Sequence, residues 1–217
     1  MASPGVLCYR VVATRLPGDT MILLILGLAL FLGTHAFTIA RGPRAALVGR
    51  FGEGPYKIAY SVLSLVGLVL IGQGFGQYRA GQWIDVWSPP VWTRHLSLVL
   101  VWAAFVCLVA AYVPGRIKRT LKHPMLVAVK IWALSHLLAN GDLGSILLFG
   151  SILVWAVMAR ISVKRRRDEV RDHAGPAVEP AGFRNDLVAV GIGSLAWFAF
   201  ARWLHPAWIG VPVWPGA

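Results

Sequence analysis

The chain has 217 residues, of which 57% are hydrophobic, and its mean hydropathy is +0.66. Because soluble domains are only about 45–50% apolar, this composition excludes an ordinary soluble fold and indicates a membrane protein. The net charge is +12, and the basic residues lie in blocks between apolar runs. Such blocks are typical of cytoplasmic loops and lipid-headgroup contacts rather than of a nucleic-acid site.

The first apolar run begins at Met21, after an irregular segment that contains Pro and Gly. We predict that residues 1–20 form a disordered N-terminal extension, and we favour Met21 over Met1 as the translation start. No cleavage site of the signal-peptide type follows the run. Residues 21–40 carry no charge and are long enough to cross a hydrocarbon core of about 30 Å.

Five further apolar runs follow, so the sequence predicts an all-α, polytopic membrane protein with six transmembrane helices. The predicted spans are approximately residues 21–40, 58–76, 96–113, 125–139, 143–159 and 187–201. A Gly- and Pro-rich loop is predicted at residues 41–57. The spans form one domain, residues 21–204, and the Trp-rich residues 205–217 are predicted to form an interfacial tail, with His205-Pro206 as a helix stop.

The fourth run is short and has clear boundary signals. His123-Pro124 opens it, since proline fits the first turn of a helix, and Asn140-Gly141-Asp142 ends it. Lysine and histidine are costly in hydrocarbon, so polar residues inside an apolar run are functional candidates. This run and the first one contain such residues.

The distribution of Lys and Arg predicts the orientation. The loops after the first, third and fifth spans carry 15 of these residues, and the opposite side carries five. The positive-inside rule therefore predicts that both termini lie outside, on the side opposite the cytoplasm.

His35 lies inside the first span, and Trp132, His136 and Asn140 share one stripe of the fourth helix at i, i+4 and i+8. A neutral imidazole binds a metal with one nitrogen and donates a hydrogen bond from the other. His35 is therefore either a metal ligand or a histidine bonded to a neighbouring helix.

Lys130 points to a different face of the fourth helix, where it either pairs with Asp142 or with an acidic group of a ligand, or extends toward the inner interface. His123 lies at the inner mouth of the fourth helix and His95 at the outer mouth of the third; each is a reserve metal ligand or a cap. The sequence has no Ser-His-Asp arrangement, carboxylate pair or phosphate-binding glycine loop.

Four segments resemble the NnrU family of bacterial membrane proteins. They are LGLALFLGTHAF, PGRIK, KHPMLVAVKIWALSHLLANGDLGSILLFG and VWAVMARISVKRRR. The resemblance covers roughly residues 21–167, and ALSHLLANGD with the preceding His-Pro is its most specific part. It implies a location in the bacterial inner membrane, with both termini in the periplasm, and a link to denitrification and nitric oxide metabolism. The plant zeta-carotene isomerase, a membrane enzyme with haem b that isomerises a 15-cis double bond, is a distant relative.

The resemblance to the isomerase implies a haem b site. Its first-span histidine falls on His35, and its Trp-x-x-x-His falls on Trp132 and His136, so the two histidines are the expected ligands. Lys130 and Asn140 complete the expected site. The isomerase's Arg-His-Pro matches residues 122–124, with Lys in place of Arg. Membrane methyltransferases share that triplet, but their acidic and aromatic C-terminal motif is absent here.

The two expected ligands, His35 and His136, are predicted to lie at different depths in the membrane. At 1.5 Å per residue, His35 lies roughly 21 Å and His136 roughly 6 Å from the outer ends of their spans. His123 matches the depth of His35, and His95 that of His136. The conflict eases if the fourth helix and its Asn-Gly-Asp turn lie below the outer surface.

Three hypotheses about function follow. The first is a haem-binding protein acting on nitric oxide or, as a cis-trans isomerase, on an apolar polyene. The second is a non-enzymatic membrane assembly factor, in which the histidines are packing contacts. The third, ranked last, is a membrane methyltransferase.

Overall fold

The computed structural model describes residues 19–81, 83–170 and 182–214. Within them the chain forms nine α-helices and one π-helical turn, and no β-strand. The helices are α1 Asp19–Phe37, α2 Arg41–Phe51, α3 Glu53–Gly81, α4 Val91–Ala110, α5 Arg116–Leu121, α6 Pro124–Ala139, α7 Leu143–Val170, α8 Phe183–Ala199 and α9 His205–Ile209, with the π-helical turn at Phe200–Leu204. The predicted all-α class is confirmed. The predicted extension falls almost wholly on residues 1–18, which lie outside the described residues.

Each of the six predicted spans falls on one of the helices α1, α3, α4, α6, α7 and α8, but not all six have the length of a span. Four segments are long and apolar enough: Glu53–Gly81, Val91–Ala110, Leu143–Arg165 and Phe183–Ile209. A fifth is found if α1 and α2, which meet at a bend of 85°, count as one. With 16 residues, α6 is only about 24 Å long. The described helices thus show four to five spans rather than a clear six.

The apolar helices pack in a row, α3–α1–α7–α6–α4–α8, in which each helix contacts mainly its neighbours. A buried core of Leu24, Leu28, Ile71, Ala133, Leu148 and Phe149 joins four of them. The last helix, α9, contacts α3, the first member of the row: Arg79 Nη1 on α3 donates a hydrogen bond to the carbonyl of Ile209 on α9 at 3.0 Å.

Glycines allow α1 and α3 to approach closely. A Cβ atom built on Gly27 would lie 2.6 Å from Ile71 N, and one built on Gly67 would lie 2.8 Å from Phe31 N. These neighbours are backbone atoms and cannot rotate away. Small residues at such positions are the usual means of packing helices in lipid, where backbones must approach without a hydrophobic driving force.

Polar contacts hold α4 between its two neighbours. Ser97 Oγ donates to the carbonyl of Ser135 on α6 at 2.7 Å. Trp102 Nε1 donates to Ser194 Oγ on α8 at 2.8 Å. Hydrogen bonds of this kind are favoured between helices in lipid, where water cannot replace them. α4 therefore fixes the positions of both α6 and α8.

Gly67→Ala is expected to destabilise the protein by about 1–3 kcal/mol, since the added methyl group overpacks the α1–α3 contact. The matched control is Gly72→Ala on the same helix, where a Cβ meets no atom within 4 Å. The measurement is the thermal unfolding midpoint in detergent. Equal midpoints for the two variants would contradict the close packing of these helices.

Candidate functional site

His35 lies in the last turn of α1 with a fixed tautomer. Its Nδ1 is 2.8 Å from the carbonyl oxygen of Phe31. A carbonyl only accepts hydrogen bonds, so Nδ1 carries the proton and Nε2 keeps its lone pair. The imidazole lies among aromatic rings, 4.2 Å from Phe31, 5.4 Å from Tyr60 and 5.4 Å from Trp155 between centroids.

His136 on α6 has the same arrangement. Its Nδ1 is 2.8 Å from the carbonyl oxygen of Trp132, so Nε2 is again the atom with the lone pair. Phe149 of α7 stacks on the imidazole at 4.5 Å, and the Trp132 ring lies 5.1 Å away. A metal-binding histidine typically donates its other N–H to a carbonyl, which fixes the ring. Both predicted ligands therefore fit a metal-binding role by their donor chemistry.

The structure does not bring these two histidines to the same face of α7. His35 meets α7 at Trp155 and His136 meets it at Phe149. Six residues of α-helix correspond to about 9 Å along the axis and about 120° around it. The depth difference is smaller than the roughly 15 Å expected from the spans. The two rings therefore contact different faces of α7.

Trp132 and Asn140 lie beside His136, as their spacing predicts. Asn140 Nδ2 donates to the carbonyl of His136 at 2.9 Å, so this side chain caps the end of α6. Lys130 is half-buried. The alternative pair between Lys130 and Asp142 is not formed, since Asp142 Oδ2 has no partner within the described part of the chain.

Of the two reserve ligands, His123 lies far from His136. His123 is the N-cap of α6, 13 residues and therefore about 19 Å from His136 along that helix. His95 lies in the first turns of α4 and is exposed. Among the described residues, no group of three or more His, Cys, Asp or Glu side chains is arranged to hold a metal ion.

The Asn-Gly-Asp break between α6 and α7 is covered by the loop before α4, a contact that the sequence did not reveal. The Gly141 carbonyl accepts from Val86 N at 2.9 Å and Trp87 N at 3.1 Å, and Leu143 N donates to the Ile84 carbonyl at 2.9 Å. A side chain at Gly141 would collide with the Trp87 carbonyl. The break is therefore paired along its backbone.

Asp142 and Tyr78 complete this covered break, and both are fully buried. Asp142 Oδ1 accepts from Ser145 N at 2.9 Å and caps α7. The Tyr78 hydroxyl accepts from Ile84 N at 3.1 Å. Sequence analysis predicted Asp142 as part of a helix break and as an alternative partner of Lys130, but its burial could not be predicted, because an N-cap signal does not tell how deeply the residue is buried.

The prediction that His205-Pro206 ends a helix was wrong. The helix continues through the π-helical turn into α9, and Pro206 lies in the first turn of α9, where a proline is tolerated. His205 Nδ1 is 2.8 Å from the Val211 carbonyl, so His205 has the same tautomer as His35 and His136. A third histidine thus has its Nε2 lone pair available.

The sequence profile of the NnrU protein family matches residues 23–213. The chain belongs to the NnrU family. Family membership extends over the last helix and His205, beyond the segments that carried the resemblance in the sequence. No curated protein and no solved structure matches this NnrU protein.

Asp142→Ala is expected to lower the stability of this NnrU protein by about 0.5–2 kcal/mol, because the N-cap of α7 is lost. Asp142→Asn retains an oxygen for Ser145 N and is expected to keep most of that stability. Unfolding midpoints in detergent compare the two variants. An Asn variant as unstable as the Ala variant would show that the carboxylate charge, and not the cap, is what matters.

Proposed function

We propose that this NnrU protein is a six-span inner-membrane protein that binds haem b, and that His136 Nε2 would hold its iron. The single observation that carries the proposal is the Nδ1–H bond of His136 to the Trp132 carbonyl, beneath a stacked Phe149 ring. This hydrogen bond leaves Nε2 of His136 as a neutral nitrogen with a free lone pair, in apolar surroundings. Imidazole suits iron, and histidine is a usual axial ligand of haem.

The six-span topology is supported by the way α6 ends. Although α6 is short, the break that follows it is buried and paired by the loop at residues 83–90. Irregular backbone is tolerated at membrane depth where protein covers it. In this arrangement α6 and its covered turn together cross the bilayer, the basic loops face the cytoplasm, and both termini are periplasmic.

The aromatic and polar neighbours have distinct proposed roles. Trp132 and Phe149 exclude water around His136, and Asn140 holds the end of α6. Lys130 is half-buried on another face of the same helix, and its proposed role is to pair with a haem propionate. The family resemblance gives His35 the second ligand position, and its fixed tautomer suits ligation.

We further propose that the bound haem acts on nitric oxide or on an apolar polyene that enters from the lipid. Haem iron with an open or exchangeable coordination position supplies ligand binding and one-electron chemistry, tuned by the axial ligand and by burial. The chain's contribution is to fix the imidazole and to exclude water. The link to denitrification rests on the family resemblance.

The topology is tested by cysteine labelling in a Cys8→Ser, Cys107→Ala background. Ser88→Cys, in the loop before α4, is expected to react in intact cells with a maleimide that does not cross the inner membrane. Thr120→Cys on α5 is the matched control, since both positions are exposed but Thr120 is on the proposed cytoplasmic side. Labelling of Thr120→Cys in intact cells would overturn the orientation.

Haem binding is tested by the absorption spectrum of protein purified in detergent and supplemented with haem b. The wild type is expected to show a Soret band, and His136→Ala is expected to lose it. Tyr112→Ala is the control, because this aromatic side chain is exposed and has no proposed role in the site. A wild type with no Soret band would refute haem binding and favour an assembly role.

A further inference from the structure

The short helix α2 has little support from the rest of the described chain. None of its 11 residues is buried, and its main contacts are with α3. Helices of fewer than about 12–15 residues are marginal in water on their own, and most helices in proteins are stabilised by packing. The Gly and Pro content of this segment predicted a loop. A surface outside the described residues is therefore needed to stabilise the helix.

Both ends of α2 are tied to apolar helices. α1 ends at Phe37, α2 begins at Arg41, and the two helices meet at 85°. At the other end Gly52, with φ 85°, makes the turn into α3, which begins at Glu53. In the six-span topology α1 and α3 cross the bilayer. α2, which is about 16 Å long, then lies where the hydrocarbon meets the headgroups, as interfacial helices do.

This segment carries a clear excess of positive charge. Between Arg41 and Lys57 there are four basic residues and one acidic residue, Glu53. Lys57 Nζ lies 2.9 Å from Glu53 Oε1, so these two charges compensate each other. The three arginines of α2 remain, and Arg44 and Arg50 are exposed. Guanidinium groups suit phosphate in both charge and geometry.

Exposed apolar side chains lie beside these arginines. Leu47 is 38% exposed and Phe51 is 57% exposed. The guanidinium carbon of Arg44 lies 5.7 Å from the centre of the Tyr56 ring, and that of Arg50 lies 5.2 Å from the Phe51 ring. A bilayer interface accommodates both kinds of group, because apolar side chains enter the acyl boundary while cations stay with the headgroups. An acidic soluble partner would match the charge alone.

We propose that α2 binds the surface of an anionic phospholipid bilayer through Arg44 and Arg50. These residues are six positions apart, which is about 9 Å along the helix and about 120° around it. They are therefore placed to contact separate headgroups rather than one bound phosphate. The inference rests on the proposed six-span topology and is independent of haem binding. Each arginine is expected to favour anionic over zwitterionic lipid by about five-fold.

The test places a nitroxide spin label on α2, at Ala46→Cys in a full-length Cys8→Ser, Cys107→Ala background. Ala46 is exposed. The protein is reconstituted into nanodiscs of phosphatidylcholine with increasing phosphatidylglycerol, and label mobility is measured by electron paramagnetic resonance. Phosphatidylglycerol is expected to immobilise the label. Arg44→Gln and Arg50→Gln are each expected to raise the phosphatidylglycerol fraction at half-immobilisation about five-fold.

Two control variants separate charge from packing and from general attraction. Arg44→Lys with Arg50→Lys keeps the charge and is expected to resemble the unsubstituted α2. Lys164→Gln with Arg165→Gln removes the same charge from exposed positions on α7, and it is expected to leave the label unaffected. An effect of this α7 pair equal to that of the α2 substitutions overturns the inference, since it would show only diffuse attraction to the lipid.

Label mobility that is the same in both lipids also overturns the inference. Immobilisation by soluble glycerol phosphate in phosphatidylcholine discs overturns it in favour of a site for a free anion. Collision of the label with oxygen, but not with a water-soluble nickel complex, in both kinds of disc would place α2 in the hydrocarbon. That result refutes the six-span topology itself and is distinct from a label that stays mobile in water.

Discussion

Backbone groups in hydrocarbon must find their partners within the protein, and the structure depends on how this constraint is met between α6 and α7. The Asn-Gly-Asp break interrupts the helical hydrogen bonds at a position that is buried within the protein. The loop at residues 83–90 replaces them, with Gly141 and Leu143 bonded to it directly. Asp142 caps the next helix. Because the backbone groups of the break have hydrogen-bond partners, α6 can end early, and His136 lies in its last turn.

The same constraint determines the state of the imidazoles. A histidine in apolar surroundings is neutral at lowest cost, and its single N–H needs an acceptor. His35 and His136 each use the carbonyl four residues earlier, which helical geometry always provides. His205 uses Val211, which is available only because the tail folds back. The first two arrangements follow from the local helix, and the third requires tertiary structure.

Hydropathy predicts the helical class and locates six apolar helices, because burial in lipid is a property of local composition. It fails at their ends: α3 and α7 continue beyond their apolar runs, since a helix does not stop where hydrocarbon stops. It also misses α2, which begins in a segment rich in Gly and Pro. The candidate residues Trp132, His136 and Asn140 were predicted together from helical spacing. Their relation to His35 and His205 depends on packing between helices, which spacing does not encode.

The bend of 85° between α1 and α2 has a consequence for the first span. If α1 crosses the bilayer, α2 runs nearly parallel to the membrane plane, at the level of the phospholipid phosphates. Arg44 and Arg50 are exposed there. In that position α2 would limit how deeply α1 enters the bilayer, so the thickness and headgroup charge of the leaflet that α2 contacts would bear directly on the height of His35.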